Sequence, residues 1–403
     1  MKKVLFVTYD SPNIDRRIYL FADALEEFGY DVTILAPCAD VELGFEHLKV
    51  INVYEKSKLN IVSCKEKLRK LMPTIFFKTL KKLYRHILCK NKYSYGIDAM
   101  TKKATSIVAD YYIAIDLPTL PIVNECIKAN GGKFIYDAHE FFLGQDVFSK
   151  EQFKLLNELE ENIYPKIDYL ITVNNDIADL FNNKYGKKPQ KIIYNATNIP
   201  SVQNKFLHDL IGIKHDVKIL LYQGGFIDKR NLCELVEIGQ YLNECVLVML
   251  GYGYKQYDLE KIAQNNGSIN KRVFFVPKIS QSELVSYTKS AFLGIIPYGA
   301  IDINTKFCTP NKLFEFICAK LPIVFNDELE TVKKIVSSNG FGISIDIKDP
   351  VKSAHIIDNI CRDKDLIEQF KQNLDKKYIN FTWNMEKDKL KDVFYEINSR
   401  VKV

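Results

Sequence analysis

Residues 217–231 read VKILLYQGGFIDKRN, an apolar run that ends at two glycines and is followed by a basic pair and a new helical pattern. An apolar run of this length before a turn is typical of a buried strand, so the stretch predicts a strand followed by a helix. It restarts a rhythm that a loop with Pro200 and Gly212 interrupts. Similar apolar runs precede the loop at 4–7, 32–35, 111–115, 134–136, 169–173 and 192–194, and follow its restart at 245–250, 273–276, 292–296 and 323–325.

Strands that alternate with helices predict an α/β protein with parallel sheets. Because the alternation stops and restarts, we expect two Rossmann-like domains joined near residue 200, and the 403 residues suffice for two domains of about 200 each. Ligands of such folds bind at the carboxyl ends of the strands, beside helix N-termini. The loops that follow the strands, facing a cleft between the two sheets, are therefore where site residues are expected.

The composition favours a cytoplasmic protein. The nine cysteines are odd in number and include no C-x-x-C pair, which indicates reduced thiols rather than disulfides or a zinc site. No apolar run approaches the roughly 18 residues that a membrane span needs. The apolar stretch at 4–7 is followed at once by Thr8, so it predicts a first buried strand and not a secretion signal.

Positive charge is concentrated in one segment. The formal net charge is +6, yet residues 56–103 alone contain 14 Lys and Arg against Glu66 and Asp98. Apolar residues recur there at helical spacing, which favours a basic amphipathic segment on an anionic membrane surface. A solvated helix packed by its apolar stripe is the alternative. Nucleic acid is disfavoured as a partner because no recognition motif accompanies the charge.

The stretch NTKFCTPNKLFEFICAKLPIVFND at 304–327 predicts a helix whose start could bind an anion. We expect Thr309 to cap this helix and Pro310 to be its first residue. The amides exposed at the helix start would be those of Asn311, Lys312 and Leu313. The helix dipole and the Lys312 charge both favour an anion there, and Glu315 could accept hydrogen bonds from sugar hydroxyls on the face that it shares with Asn311. A surface helix that enters a core strand is the alternative.

Glycines follow two strands of the second half, at Gly224 and Gly225 and again at Gly251 and Gly253. Glycine permits close approach of the backbone to a ligand, and Arg230 offers a bidentate fork for phosphate. A tight turn explains either glycine pair taken alone. Together with the helix start they make three phosphate-binding features after successive strands, and this combination predicts an anion site.

The first half supplies candidates for the opposite wall of the cleft. YDAHEFF at 136–142 places His139 and Glu140 just past a strand, where a histidine could lie over a sugar. A hydrogen-bonded structural histidine is the alternative. The polar loop at 10–17 contains Asn13 and Arg16, although local helix capping explains part of its composition.

The C-terminal half resembles the family 4 glycosyltransferases, which are retaining enzymes of the GT-B fold. Their motif has two glutamates separated by seven residues. Glu315, with LPIV behind it at 321–324, fits the second glutamate, which binds the donor ribose in the family. Phe307 stands where the first is expected. The variant PNKLFE at 310–315 resembles a subgroup from bacterial surface-polysaccharide pathways.

The resemblance extends over nearly the whole chain. Arg230 aligns with the family's diphosphate-binding lysine, while Gly225 replaces an arginine, and Lys312 is our candidate for the missing cation. DAHE at 137–140, with His139, matches the histidine segment near the reaction centre. DLPTL at 116–120, with Asp116, matches another cleft segment.

The resemblance implies an acceptor domain at 1–198, a donor domain at 199–378 and a C-terminal helix at 379–403 that crosses back to the N-terminal domain. It implies retaining transfer from a UDP-sugar, or secondly a GDP-sugar, to a saccharide or polyprenyl-diphosphate-linked acceptor of a bacterial surface glycan. Arg230 and Lys312 would stabilise the leaving diphosphate, and His139 would contact the sugar or steer the acceptor. Since lipid-linked acceptors are common among relatives, we expect attachment to the inner face of the plasma membrane.

No Asp-x-Asp pair stands after a strand in a position to bridge a metal and a diphosphate, so we expect neither a metal nor another cofactor. Two other functions stay open. Because the first glutamate and the loop arginine are missing, the chain could be a weakly active partner subunit of another transferase. A sugar-nucleotide 2-epimerase would need acid and base carboxylates that face the sugar, and Glu140 is the single candidate.

Overall fold

The computed structural model of the protein describes residues 1–54, 95–198 and 205–399. The predicted basic amphipathic segment at 56–103 lies for the most part outside the described residues. Its last residues fall within them, in the helix Tyr95–Thr105.

The N-terminal half folds into strands and helices in strict alternation along most of its length. Its strands are β1 (Lys3–Val7), β2 (Asp31–Ala36), β3 (Lys49–Asn52), β4 (Tyr111–Ile115), β5 (Lys133–Ala138), β6 (Tyr169–Thr172) and β7 (Gln190–Ile192). Its helices are α1 (Arg16–Glu27), α2 (Tyr95–Thr105), α3 (Asp116–Asn130), α4 (Lys150–Ile163) and α5 (Asn175–Tyr185). Within the described residues these strands form one parallel sheet in the order β3-β2-β1-β4-β5-β6-β7.

The C-terminal half repeats the plan. Its strands are β8 (Lys218–Gly225), β9 (Cys245–Tyr252), β10 (Val273–Val276), β11 (Leu293–Ile296), β12 (Ile323–Asn326) and β13 (Gly342–Ile345). Its helices are α6 (Leu207–Ile211), α7 (Leu232–Tyr241), α8 (Gln256–Asn265), α9 (Gln281–Thr288), α10 (Ile303–Lys306), α11 (Asn311–Cys318), α12 (Glu330–Asn339), α13 (Pro350–Arg362), α14 (Lys364–Lys377) and α15 (Trp383–Ser399). The second parallel sheet runs in the order β10-β9-β8-β11-β12-β13.

Both sheets are covered by helices on their two faces, and this explains why their strands are continuous apolar runs. All five residues of β4 are buried, as are Ile219 to Tyr222 in β8. The predicted α/β architecture with two parallel sheets is confirmed. In each sheet the order reverses at the first strand, β1 or β8, and such switch points place the loops for ligand binding.

Helix α15 packs against the N-terminal domain. Its first residue, Trp383, stacks on Phe21 of α1 with the ring centroids 5.5 Å apart. Glu386 accepts a hydrogen bond from the backbone N–H of Tyr194 at 2.9 Å. Farther along the helix, Phe394 is buried in the N-terminal core. The end of the chain therefore connects the C-terminal domain to the first helix of the N-terminal one.

The cysteines of the described ranges are free thiols, and most of them are buried. They are Cys38, Cys126, Cys233, Cys245, Cys308, Cys318 and Cys361. Within the same ranges, no helix is both long enough and apolar enough to cross a membrane.

Candidate active site

A cleft of about 480 Å³ lies between the two domains. One wall is formed by the start of α1 and the loops after β1 and β2, and the other by the loop after β10 and the start of α11. Four sequence-predicted residues line it: Asn13, Arg16, Asn311 and Glu315. The structure thus brings residues from both halves of the chain to one cleft.

The N-terminal wall of the cleft is charged. Arg16 Nη1 lies 3.6 Å from Glu42 Oε1, and both side chains are 28% exposed. The backbone of Asn13 pairs with that of Asp40 in an isolated parallel β-bridge, which holds Asn13 beside them. Burial raises the pKa of Glu42, although Arg16 opposes this shift. Donors and acceptors therefore stand together on this wall, a combination that suits a hydroxyl-rich ligand.

Glu315 stands on the C-terminal wall, one turn after Asn311. It is 7% exposed. Gln223 Nε2 donates a hydrogen bond to Glu315 Oε2, and Gln223 Oε1 accepts one from Thr288 Oγ1 at 2.8 Å. Because the amide is fixed at both ends, it holds the carboxylate in one orientation at the cleft.

Helix α11 begins one residue later than the sequence predicted. Pro310 is the N-cap, with an extended ψ of 147°, and Asn311 is the first helical residue. The prediction that Thr309 caps the helix is wrong, because its Oγ1 accepts a hydrogen bond from Asn174 Nδ2 of the other domain at 3.3 Å. The N–H of Leu313 donates to the Pro310 carbonyl at 2.9 Å, so this predicted donor-binding amide is already engaged.

Lys312 and Arg230 converge on the paired glycines at the end of β8. Lys312 Nζ donates to the Tyr298 hydroxyl at 2.8 Å, and the Arg230 guanidinium lies over the same ring, 4.9 Å from its centroid. A Cβ at Gly224 would lie 3.2 Å from Lys312 Nζ, and one at Gly225 would lie 3.6 Å from Arg230 Nη1. The glycines therefore leave room for both cations.

The environment of this pair is electrostatically strained. Lys312 is only 5% exposed, and burial followed by repulsion from Arg230 holds its pKa well below the ordinary value. The chain near Arg230 is also strained, since Lys229 and Asn231 have φ values of 68° and 50°. Two crowded basic side chains, one of them on a strained loop, are the arrangement expected where an anion binds.

His139 directly follows β5. Its Nε2 is 3.1 Å from Asp137 Oδ2, and its backbone N–H donates to Asp116 Oδ1 at 2.9 Å. Asp116 has a φ of 55°, which is unusual outside glycine, and such strain clusters at functional sites. The structure thus brings His139 and Asp116 together beside a second carboxylate, Asp137. His139, Arg230 and Lys312 all lie within the described residues but outside the lining of the cleft.

The groups around His139 are charged unequally. Burial disfavours the ionised form of Asp137, but Arg17 and His139 hold its pKa at about 2. Burial likewise disfavours the imidazolium, but Asp137 and Asp116 raise the pKa of His139 to about 9. Burial raises the pKa of Asp116 to about 7 against the attraction of His139. At neutral pH His139 is therefore a cation held by a fully ionised Asp137.

Arg17 is a candidate that the sequence analysis missed. Its side chain is 3% exposed, and its Nη2 lies 2.9 Å from Asp137 Oδ1. A signal was present in the two adjacent arginines that follow the Asp15 cap of α1. Neighbouring helix positions point about 100° apart, so Arg17 can reach the buried Asp137 while Arg16 reaches Glu42.

No group of three or more His, Cys, Asp or Glu side chains in the described ranges is placed to hold a metal ion. The expectation of chemistry without a metal or another cofactor stays a prediction.

Residues 204–377 match the model of the family described as glycosyl transferases group 1. The matched segment spans β8 to α14 and includes the paired glycines, both cations and Glu315. The chain is a glycosyltransferase. No curated protein matches it by sequence.

Solved structures share the fold of this glycosyltransferase over almost its entire length, at low identity. HepE of Anabaena, in complex with UDP and glucose, aligns with a TM-score of 0.72 and 13% identity over 98% of this chain and 100% of HepE. A TarM mutant from S. aureus, in complex with fondaparinux, alpha-GlcNAc-glycerol and UDP, gives 0.69 and 12%, with coverage of 98% and 100%. Sucrose-phosphate synthase from Thermosynechococcus elongatus gives 0.68 and 14%, with coverage of 99% and 100%. These likenesses confirm the predicted GT-B fold.

Glu140 connects the two domains of the glycosyltransferase. Asn304 of α10 donates to Glu140 Oε2 at 3.0 Å, and its Oδ1 accepts from the N–H of Phe141 at 3.0 Å. Gln145 Nε2 donates to the other carboxylate oxygen of Glu140. These contacts place Glu140 in the domain contact and not on the cleft wall, where the sequence analysis expected an acceptor-side group.

Phe307, where the resemblance to the family 4 enzymes predicts a glutamate, also belongs to the domain contact. Its side chain packs against the core of the N-terminal domain. Its carbonyl accepts hydrogen bonds from Asn174 Nδ2 at 2.9 Å and from Thr331 Oγ1 at 3.1 Å. Phe307 of the glycosyltransferase therefore contributes to the contact between the two domains.

Gly251 lies within strand β9, and Gly253 directly follows that strand. Gly251 is the partner of Gly224 in the register of β8 and β9, and a Cβ there would lie 1.9 Å from the Gly224 carbonyl oxygen. A Cβ at Gly253 would lie 2.2 Å from the Phe226 carbonyl oxygen. The predicted third glycine loop is wrong in this respect, because Gly251 pairs with Gly224 inside the sheet and Gly253 packs closely against the backbone of Phe226.

Proposed function

We propose that this glycosyltransferase transfers a sugar, with retention of anomeric configuration, from a nucleotide sugar to a saccharide or lipid-linked acceptor of a bacterial surface glycan. UDP is the favoured carrier and GDP the second. The observation that carries the proposal is that Arg230 and Lys312 converge on Gly224 and Gly225, while Lys312 lies on α11, the helix that also presents Glu315 to the cleft. The UDP complexes of HepE and TarM, which share the fold, support UDP as the carrier.

The two cations would stabilise the diphosphate as it leaves. Transfer of a glycosyl group breaks the bond between the anomeric carbon and the phosphate oxygen, so negative charge grows on the diphosphate. Preorganised cations in a site that excludes water stabilise such charge strongly, without a metal. Lys312 would exchange the Tyr298 hydroxyl for a phosphate oxygen, and Arg230 would use its planar fork.

Glu315 would accept hydrogen bonds from the ribose hydroxyls of the donor. It lies three residues after Lys312 on α11, and positions with this spacing are neighbours on one helix face. A ribose at Glu315 therefore puts the attached diphosphate within reach of Lys312. Gln223 keeps the carboxylate oriented for this contact.

His139 would contact the transferred sugar or steer the acceptor hydroxyl. As an imidazolium it donates hydrogen bonds, and it would add positive charge beside the leaving group. Asp116 holds the backbone of His139, and Asn13 and Arg16 supply polar groups for the acceptor on the wall opposite Glu315.

We also propose that the protein works on the cytoplasmic face of the plasma membrane. The support for this is the excess of positive charge at 56–103, which suits anionic lipid. Binding to vesicles with and without anionic lipid tests this assignment. We expect the protein to bind anionic vesicles and to lose this binding at high salt. Equal binding to vesicles with and without anionic lipid would contradict the proposal.

A thermal-shift panel of UDP, GDP, ADP, CMP and their sugar conjugates tests the donor assignment. A ligand at a hundred times its dissociation constant stabilises the folded state by about 2.7 kcal/mol. We expect a shift with UDP or GDP compounds that disappears in Glu315→Ala and persists in Glu237→Ala, an exposed glutamate of the same domain. A protein that no nucleotide stabilises would refute the proposal, and binding without turnover on any acceptor would favour a partner subunit.

A further inference from the structure

Arg17 is a buried cation on α1, and all three of its guanidinium nitrogens are engaged. Nε and Nη2 donate to the two oxygens of Asp137 at 3.2 and 2.9 Å. Nη1 donates to the carbonyl of Ile193 at 2.7 Å and to Asn195 Oδ1 at 3.0 Å. The guanidinium carbon lies 4.4 Å from the centroid of the Phe21 ring, which closes one face.

Asp137 transmits the position of Arg17 to His139. Oδ2 of Asp137 receives Arg17 Nε at 3.2 Å and is 3.1 Å from His139 Nε2. A bidentate pair fixes the plane of the carboxylate, because both guanidinium bonds must align at once. The orientation of the imidazole ring then follows from the orientation of the carboxylate.

The other side of the same guanidinium holds the chain as it leaves the N-terminal sheet. Ile193 directly follows β7, and Asn195 lies two residues farther along and lines the cleft together with Arg17. A lysine at position 17 could neutralise Asp137, but its single nitrogen could not reach both oxygens of Asp137 and the 193–195 segment in this geometry.

We propose that Arg17 is a positioning residue, which fixes the His139 imidazole through Asp137 and ties its orientation to the cleft wall at Asn195. The inference rests on the proposed function in assigning His139 to the reaction. Stability alone is a weak reason for such a group, since buried ion pairs can often be exchanged for apolar side chains without loss.

Arg17→Lys tests the proposal, with Arg272→Lys as the control, because Arg272 is an exposed arginine that also donates to a backbone carbonyl. The imidazole signal of His139 is followed by NMR and assigned by its absence in His139→Gln. Slow hydrolysis of UDP-glucose, UDP-galactose and UDP-N-acetylglucosamine gives kcat and KM. We expect Arg17→Lys to keep KM, to lower kcat on the order of 100-fold and to shift or broaden the His139 signal. The control should change none of these.

An unchanged kcat in Arg17→Lys would overturn the proposal, and so would a lower kcat with an unchanged His139 signal. If Arg17→Lys does not fold, Asn195→Ala removes one partner of the guanidinium and should change the same two quantities to a smaller extent; no change in either would overturn the link to the cleft wall. Should the unaltered enzyme bind and hydrolyse none of the three UDP-sugars, the assignment of UDP as the carrier fails, while the NMR comparison still decides the role of Arg17.

Discussion

Replacing Lys312 by methionine should stabilise the free enzyme and weaken its binding of UDP. The ammonium is 5% exposed, and its one polar contact within the described residues is the Tyr298 hydroxyl at 2.8 Å. The Tyr222 and Tyr298 ring centroids lie 4.0 and 4.5 Å away. Burial and the neighbouring Arg230 both disfavour its charge, since the pKa of Lys312 is held well below its usual value. Without a bound anion, this charge is a cost to the fold.

The size of the effect follows from these contacts. Exchange of buried charges for apolar side chains stabilises proteins by up to about 4 kcal/mol. Against this gain, loss of the hydrogen bond to Tyr298 and of the two cation–π contacts costs about 1 kcal/mol each. A net gain of about 1 kcal/mol remains, which raises the melting temperature of a domain of this size by about 2–4 °C. A charge-assisted hydrogen bond to phosphate is worth about 1.5–3 kcal/mol, so UDP should bind about 10- to 150-fold more weakly.

Differential scanning fluorimetry with and without UDP measures both effects in one experiment. Lys333→Met, an exposed lysine on α12, is the matched control and should leave both the melting temperature and the UDP shift unchanged. If Lys312→Met melts below the unaltered enzyme while UDP still stabilises it fully, the ammonium is structural, and the reasoning about a strained anion site is refuted.

Three further outcomes are expected. The His139 imidazolium should support turnover up to a pH of about 9 and lose it above, and its contribution to stability, fully present below the unfolded pKa of 6.5, should fade through the same limit; a pH–rate profile flat to pH 10 would contradict this. Gly251→Ala should unfold the C-terminal domain in circular dichroism, because its Cβ meets a carbonyl oxygen at 1.9 Å, whereas Gly267→Ala has open space and should cost only about 1 kcal/mol. Asn304→Ala removes two hydrogen bonds between the domains and should enlarge the radius of gyration in small-angle scattering without lowering the melting temperature by more than a few degrees; an unchanged radius would show that the remaining contacts suffice.

The fold was predictable from sequence because both sheets are parallel and buried. Strands of this kind are apolar on both faces, so their runs stand out and alternate with amphipathic helices. The run at 217–221 became β8, and the helical pattern from about residue 15 became α1, with Asp15 as its cap. The restart of the pattern after residue 212 became the second sheet.

The site was predictable only where a single helix or loop determines it. Glu315 and Asn311 share a face because of their spacing, and this needs no knowledge of the rest of the chain. The pair of Arg17 and Asp137 joins residues 120 positions apart, so no local pattern announces it. The place of Glu140 in the domain contact was likewise not predictable from local sequence, since its partner Asn304 comes from the second domain.

The predicted roles of Thr309 and Pro310 at the start of α11 were wrong for a more specific reason. A threonine before a proline is a good capping signal only when the hydroxyl has no better partner. Here the Thr309 hydroxyl accepts a hydrogen bond from Asn174 of the other domain, and Pro310, with its fixed φ of −66°, takes the cap position without a side-chain bond. Tertiary contact decided which of two adjacent residues begins the helix.

The packing of the domains also explains why position 307 is a phenylalanine and not the glutamate that the family 4 resemblance predicts. A glutamate at Phe307 would carry a charge into apolar packing against the N-terminal core, where an unpaired carboxylate is costly. The phenylalanine instead anchors the segment that leads directly into α11, and its carbonyl is held by Asn174. Lys312 and Glu315 follow on that helix, so the anchor fixes the distance of both side chains from the N-terminal domain. Phe307 therefore contributes to the site that we propose by fixing the placement of Lys312 and Glu315.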